Sequence, residues 1–169
     1  MAQTIADIRD MEFVLFEQLA ADQLTTYDKF KGFNQKMFQM VLSEARNFAL
    51  KEILPTYSEG DREGVHFNNG QVSVPKCFRR PLKLSREAEW SALTEDPALG
   101  GQGLPHSIAT AAQEYLSGTN FSFASYSMMG HGTGKMIELY GTPEQKDLFL
   151  KKLYANEWCG TMLLTEPEA

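Results

Sequence analysis

Residues 115–134 read YLSGTNFSFASYSMMGHGTG, and no side chain in this stretch carries a charge. Its length would suit a membrane span, but Ser, Thr, Asn, Gly and His fill about half of the positions. That content is typical of a helix buried inside a protein, because a helix without a charged face has no side suited to water. We therefore expect a buried helix from about Phe121 to Tyr140, within a chain made mainly of helices.

The segments on either side show apolar residues at helical spacing, which predicts further helices. These segments are residues 8–19, 34–54, 81–93 and 106–117. Pro55 should end the second helix, because proline disfavours helical backbone in the residue before it. A last helix should begin at Thr142, which can cap it, with Pro143 in the first helical position and Gln145 completing a capping box.

One segment between these helices predicts strands instead. Apolar residues alternate from Val65 to Val74 on both sides of Asn69-Gly70. Asn-Gly favours a two-residue hairpin turn, in which both residues need positive φ. The predicted fold is mainly α, with one small β-hairpin at residues 65–75.

The stretch from Gly160 to Leu164 has the apolar content of a strand, and Thr165-Glu166-Pro167 then turns a corner. A strand needs a neighbour for its backbone groups, so we expect this one to open a β domain whose other strands lie beyond Ala169. Three parts follow from this reading. They are an N-terminal extension helix (1–33), a helical domain (34–156) and the start of a truncated β domain (157–169).

Composition limits the classes of partner. The net charge of −6 argues against nucleic acid, because phosphate binding needs a basic face. Cys77 and Cys159 are too few for a disulfide framework and indicate reduced thiols in a cytoplasmic protein. Residues 1–7 lack the basic and apolar pattern of a signal peptide.

Residues that could catalyse a reaction are scattered. His66, His106 and His131 show no metal-ligand spacing. His131 can face a ligand or be an ordinary core histidine. Acidic pairs such as Glu95-Asp96 occur in polar contexts, with no sign of a general acid. We therefore predict no catalytic residue and no metal site in this chain.

Two features allow both a structural and a ligand-binding interpretation. The glycine-rich residues 98–105 lack the lysine of a phosphate-binding loop, so they form either a tight turn between helices or a direct ligand contact. On the uncharged helix, Ser125, Met129 and Thr133 are four residues apart and share one face. They either line a tunnel for a long apolar group or belong to a helix packed tightly through its small residues.

Three blocks, in this order and spacing, resemble the acyl-CoA dehydrogenase family. They are the loop at 99–104, the helix start at 140–146 with its continuation to Leu153, and the stretch at 160–167. The first helix and the Asn69-Gly70 hairpin are similar to the extended N-terminus of a subgroup that includes methylthiopropanoyl-CoA dehydrogenase. The resemblance implies an N-terminal helical domain, a flavin-binding middle β domain and a C-terminal helical domain.

The resemblance also implies an activity. Family enzymes hold FAD, remove the α-proton of an acyl-CoA and transfer the β-hydride to the flavin, giving the trans-2-enoyl-CoA. Electrons then pass to electron-transferring flavoprotein. The whole protein is expected to be a homo-oligomer without a membrane span. Alternatives that stay open are an acyl-CoA oxidase-like or DNA-damage-related flavoprotein of the same fold, and a non-catalytic helical subunit of a split flavoprotein.

Site residues follow from the matched positions. Met162, Leu164 and Thr165 are expected to contact the flavin, whereas Ser125, Met129 and Thr133 are expected to line the acyl tunnel, which favours the tunnel interpretation of their helix. The family's catalytic base is a glutamate of the C-terminal domain, so no glutamate of this chain takes that role. We expect the isolated chain to bind FAD poorly and to be inactive.

Overall fold

The computed structural model describes residues 5–163 and 165–167, which form mostly helices and one hairpin. The chain begins with α1 (Ile8–Glu12), which continues as a π-helix (Phe13–Gln18). Short 3-10 turns then lead to α2 (Gln35–Phe48), which also continues as a π-helix (Ala49–Ile53). These two pairs confirm the helices predicted at 8–19 and 34–54.

The prediction around Pro55 was incomplete, because helical structure resumes at once in α3 (Thr56–Glu63). Proline is tolerated where a helix begins, since its missing N–H would have no helical partner there. The Thr56 hydroxyl supports the junction by donating to the Ile53 carbonyl at 2.7 Å. The proline therefore separates two helices.

The predicted hairpin is present, with β1 (His66–Asn68) antiparallel to β2 (Gln71–Ser73). The turn residues Asn69 and Gly70 have φ of 48° and 80°. Both strands are exposed along their length. The hairpin therefore projects from the helical body, as expected for an insertion between helices.

The next helix is shorter than predicted. It forms α4 (Arg79–Glu87), and the chain leaves the helix at Glu89, whose φ is 56°. Residues 90–95 then run irregularly into a 3-10 turn (Pro97–Leu99). The residues that continue the apolar pattern, Trp90 and Leu93, pack against the core from this irregular segment.

The last three helices match their predicted positions. They are α5 (His106–Thr119), α6 (Phe121–Tyr140) and α7 (Pro143–Tyr154). The α7 capping box is complete, because Thr142 N–H donates to Gln145 Oε1 at 2.8 Å and Gln145 N–H donates to Thr142 Oγ1 at 3.3 Å. No helix in the described ranges is long and apolar enough to cross a membrane.

The main core lies where α2 packs against α5. Its fully buried side chains include Phe38, Leu42, Ile108 and Tyr115. A smaller cluster centred on Leu150 and Tyr154 anchors α7. Burial of these apolar surfaces supplies most of the driving force for the fold.

The strand predicted from Gly160 is not formed in the described residues. Residues 159–163 have no regular secondary structure, and Met162 and Leu163 are 75% and 95% exposed. No described strand lies alongside this segment, and a strand without a partner leaves its backbone groups unpaired. Leu164, which belongs to the same prediction, lies outside the described residues.

Candidate functional site

Helix α6, which carries no charge as far as Gly134, is not buried on all sides, contrary to expectation. It packs against α5 and α7, whereas the third side faces outward. The exposed residues of this open side include Phe121, Ser122, Met129, Gly132, Met136, Leu139 and Tyr140. We call this surface the open face of α6; it is an apolar helix side that no described element covers.

The opposite side of α6 uses its small residues for close packing. A Cβ atom added to Gly134 would lie 2.6 Å from the Tyr154 ring, and one on Gly130 would lie 3.1 Å from the Trp158 carbonyl. Such distances exclude a larger side chain unless the neighbour moves. The packing interpretation therefore holds for these two glycines.

The residues predicted to line a tunnel follow the rim of the open face. Ser125 Oγ donates to the Ser122 carbonyl at 2.9 Å, and Thr133 Oγ1 donates to the Met129 carbonyl at 3.0 Å. Because both hydroxyls donate their protons within the helix, they have no donor left for a ligand, and only their oxygen atoms can still accept. Met129 adds a flexible apolar side chain that is 47% exposed. This surface is chemically suited to an alkyl group.

Gly160 joins this rim to the segment predicted to contact a cofactor. A Cβ atom on Gly160 would overlap Thr133 Oγ1 and the Met129 carbonyl oxygen. The backbone therefore crosses α6 in direct contact at this point. The structure thus brings two of the predicted tunnel residues, Met129 and Thr133, next to the start of the predicted cofactor-binding segment.

Beyond Gly160 the segment is open to solvent. Met162 and Thr165 are exposed, and no described residue forms a backbone hydrogen bond with residues 160–163. These free N–H and C=O groups can contact a flat polar ligand edge. The prediction for Leu164 lies outside the described residues.

An apolar groove of ≈ 480 Å³ runs between α6 and α7 beside Thr133. Ile137, Phe149 and Leu153 line it together with Trp158. The Trp158 ring is held by Lys152, whose Nζ lies 4.2 Å from the ring centroid, and by Phe149 at 5.8 Å. The groove continues the apolar character of the rim towards α7.

Glu95 forms a second site that the sequence did not indicate. Its side chain is fully buried, not in the polar context predicted for it, and Oε2 lies 3.6 Å from Nδ1 of His131. The Thr94 hydroxyl donates to Oε1 at 2.9 Å. A cleft of ≈ 250 Å³ opens beside this pair, between residues 90–95, α5 and α6; we call it the Glu95 cleft. Nothing local in Thr94-Glu95-Asp96 signals this burial.

The glycine-rich residues form a tight turn that holds Glu95 in place. Gly103 N–H donates to the Glu95 carbonyl at 2.9 Å, and Leu104 N–H donates to the Leu93 carbonyl at 2.8 Å. Gly101 lies so close to Glu95 that a Cβ atom would overlap its backbone. The loop therefore has a structural role: its backbone hydrogen bonds hold residues 92–95 in position.

One network of charged groups connects α6 with α7. Tyr154 Oη donates to a Glu138 carboxylate oxygen, which also accepts from Lys135 Nζ at 3.0 Å. Burial, together with this hydrogen bond, raises the pKa of the Tyr154 hydroxyl far above its ordinary value. The network fixes the Tyr154 ring against Gly134 and thereby sets the spacing of the two helices.

Comparison with known families gives a match over residues 35–157 to the acyl-CoA dehydrogenase N-terminal domain. The 3-methylmercaptopropionyl-CoA dehydrogenase of Ruegeria pomeroyi is 28% identical over 164 residues, covering 97% of this chain and 28% of the relative. The broad-specificity linear acyl-CoA dehydrogenase FadE5 of Mycobacterium tuberculosis is 29% identical, covering 100% of this chain and 28% of the relative.

A relative with a different named substrate also matches. The (R)-benzylsuccinyl-CoA dehydrogenase of Thauera aromatica is 28% identical over 137 residues, covering 78% of this chain and 34% of that protein. The chain therefore spans roughly a quarter to a third of the length of these relatives.

Proposed function

The chain belongs to the acyl-CoA dehydrogenase family, and on this premise we propose that it forms the N-terminal portion of a flavin-dependent acyl-CoA dehydrogenase. The proposed reaction is α,β-dehydrogenation of an acyl-CoA thioester to the trans-2-enoyl-CoA. In this proposal the chain supplies one wall of the acyl tunnel and one edge of the flavin site. The activity of the whole protein is part of the proposal, because the chain spans only 28% of the length of the Ruegeria pomeroyi and Mycobacterium tuberculosis relatives.

The contact of Gly160 with α6 is the observation that carries the proposal. Acyl-CoA dehydrogenation requires the acyl chain and the flavin to lie side by side, because a hydride passes directly between them. At Gly160, the rim residues Met129 and Thr133 contact the segment that leads to Met162 and Thr165. This adjacency supports an acyl wall and a flavin edge that meet at one point.

Ser125, Met129 and Thr133 would bind the acyl chain by apolar contact. The two hydroxyls already donate their protons within the helix, so an alkyl chain would bury their carbon atoms without leaving a donor unpaired. Burial of apolar surface contributes about 25 cal/mol per Å². A flexible methionine at position 129 can adapt to different chain shapes.

The residues present fit the edge of a flavin. Met162 and Leu164, the latter outside the described residues, are proposed to flank the ring, and Thr165 to donate a hydrogen bond to its pyrimidine side. When bound, FAD would accept the hydride from the acyl β-carbon. A donor at the pyrimidine side would stabilise the negative charge of the reduced cofactor. The exposed, unpaired backbone of residues 160–163 supports this placement.

The remaining parts of the proposal concern the whole protein. The glutamate that removes the α-proton is assigned to the family's C-terminal domain, so none of the glutamates of this chain takes that role. Electron-transferring flavoprotein is the proposed electron acceptor. A cytoplasmic homo-oligomer is the proposed form of the full-length enzyme.

The test uses the product of the whole reading frame that encodes this chain. We expect it to purify with flavin, and the flavin absorbance should bleach when an acyl-CoA is added without oxygen. Met129→Lys should reduce kcat/KM by about tenfold or more, because a charge would face the alkyl chain. Lys36→Met, at an exposed position of α2, is the control that should leave activity unchanged.

Two results would contradict the proposal. A purified protein without flavin, or one whose flavin no acyl-CoA bleaches, would exclude a dehydrogenase. Rapid hydrogen peroxide formation during turnover in air would instead favour the oxidase-like alternative. A further measurement uses the isolated chain, which is proposed to supply only one edge of the flavin site. Tight stoichiometric FAD binding to it, measured by fluorescence quenching, would contradict that part of the proposal.

A further inference from the structure

We propose that the Glu95 cleft binds a small neutral ligand that carries a hydroxyl group on a short apolar body. The cleft lies between residues 90–95, α5 and α6 and has a volume of ≈ 250 Å³. His131 of α6 would pair with the hydroxyl, and Trp90 and Met128 would contact the apolar body. This site is separate from the contact of Gly160 with Thr133.

A buried carboxylate gives the cleft its polar centre. Glu95 is 1% exposed, and its Oε2 atom has no hydrogen-bond partner among the described residues. Burial of an unpaired carboxylate oxygen is costly, and such an atom is rare without a compensating group. The basic group that faces it is His131, whose Nδ1 atom lies 3.6 Å from Glu95 Oε2. The pair therefore works as a unit, with the imidazole on the cleft side.

His131 is held so that one edge of its ring stays available. The ring packs beside Tyr154, with centroids 6.0 Å apart, and turns Nδ1 towards Glu95. The side chain is 35% exposed, which leaves the Nε2 edge for a ligand. A hydroxyl can both donate and accept a hydrogen bond, so it suits Nε2 in either protonation state of the ring.

The charges around the cleft favour a neutral ligand. No lysine or arginine of the described chain lines it, and its two basic side chains, His106 and His131, are charged only when protonated. An anion would therefore meet the Glu95 charge without a permanent cation to offset it. A ligand cation would need to reach the carboxylate, but the Glu95 side chain is 0% exposed behind His131. Either kind of charged ligand would lose its hydration without an adequate partner.

The remaining lining suits a small mixed ligand. Trp90, Leu93 and Met128 supply apolar surface, whereas Thr110 and Gln113 of α5 supply further polar groups. The Trp90 ring is fixed by stacking on Phe48, with centroids 6.1 Å apart and an angle of 15° between the planes. Most ligand pockets combine an apolar lining with a few polar groups that fix orientation in this way.

The test titrates the full chain with 1-butanol and with its charged relatives butyrate and butylammonium. Binding is followed by NMR shifts of the His131 ring protons and, in the variants as well, of the Trp90 indole and Met128 methyl protons, which also line the cleft. We expect saturable shifts with 1-butanol, and an apparent Kd at least about tenfold weaker for both ions. His131→Phe should weaken 1-butanol binding about tenfold, since it removes one hydrogen bond. His66→Phe, on the exposed hairpin, is the matched control and should change nothing.

An intermolecular NOE between 1-butanol and the His131 ring in the unmodified chain keeps the test independent of whether the variant folds. The NOE together with selective alcohol binding would support the proposal. Absence of saturable binding, equal or tighter binding of either ion, or unchanged affinity in folded His131→Phe would each overturn it. An equal loss in His66→Phe would also overturn it, because the effect would not be local to the cleft.

Discussion

The two sides of α6 belong to one helix that carries no charge from Phe121 to Gly134, and yet they differ in their packing. On the closed side, Gly130 and Gly134 admit α7 and the Trp158 backbone at contact distance. On the open face, Phe121, Met129 and Met136 present apolar surface to solvent. The absence of charge over these residues therefore does not show which side of the helix a neighbour covers.

Two phenylalanines of α6 give the strongest test of the difference between its closed side and its open face. Phe123 is 6% exposed and meets Phe78 edge to face at 5.7 Å, whereas Phe121 is 62% exposed. We expect Phe123→Ala to lower the free energy of unfolding by about 3–5 kcal/mol, because it removes contacts and leaves a cavity. Phe121→Ala should stay within about 0.5 kcal/mol. Urea denaturation followed by circular dichroism measures both, and equal losses would refute the difference between the sides.

A second pair compares tyrosines inside and outside the packed region. Burial raises the pKa of the Tyr115 hydroxyl to about 12, whereas Tyr140 is 84% exposed at the end of α6. The folded state keeps the Tyr115 proton while the unfolded state, with an ordinary pKa near 10, releases it. This contribution to stability is complete below about pH 10 and is lost as the pH rises towards about 12.

The expected result is a smaller alkaline loss of stability in Tyr115→Phe than in the unmodified chain. At neutral pH the variant should differ little, because the buried Tyr115 hydroxyl has no hydrogen-bond partner in the described residues. Tyr140→Phe serves as the control and should keep the full alkaline loss. Urea midpoints measured from pH 8 to about pH 11 would show whether Tyr115 causes part of the alkaline loss of stability. Identical pH profiles for all three proteins would contradict that role.

Two glycines of α6 test the same difference between its sides, because replacing each by alanine adds a single methyl group. Gly134→Ala should destabilise the fold by about 1–3 kcal/mol, because the new Cβ would lie 2.6 Å from the fixed Tyr154 ring. Gly132→Ala meets nothing within 4 Å and should stabilise the helix by up to about 1 kcal/mol. Thermal unfolding of the two variants gives opposite shifts in Tm if the closed and open sides are assigned correctly; shifts of the same sign would reverse that conclusion.

Local signals in the sequence predicted a large part of the fold. The Asn69-Gly70 turn and the Thr142 capping box depend on residues within a few positions of one another, and both form as expected. Helix α6 begins after a cap at Asn120, whose side chain accepts from the Phe123 N–H at 3.1 Å, and ends at Gly141, just before the capping box of α7. Such features need no knowledge of distant residues.

The predicted helix bounds were wrong where tertiary contacts determine where a helix ends. The helix predicted over 81–93 stops at Glu87 because the following residues fold back and pair with the loop at 101–104. The continuation of helical structure beyond Pro55 depends on how α3 packs rather than on the proline alone. A hydrophobic pattern shows that residues are buried, but not which element buries them.

By itself, the sequence determined that this chain is helical, where its last helices begin and end, and which family its motifs resemble, because these follow from local backbone preferences and short motifs. The tertiary structure alone decided which side of α6 stays open, that Gly160 meets Thr133, and that Glu95 is buried against His131. These are contacts between residues far apart in sequence. Their geometry depends on the packing of whole helices, which no local pattern specifies.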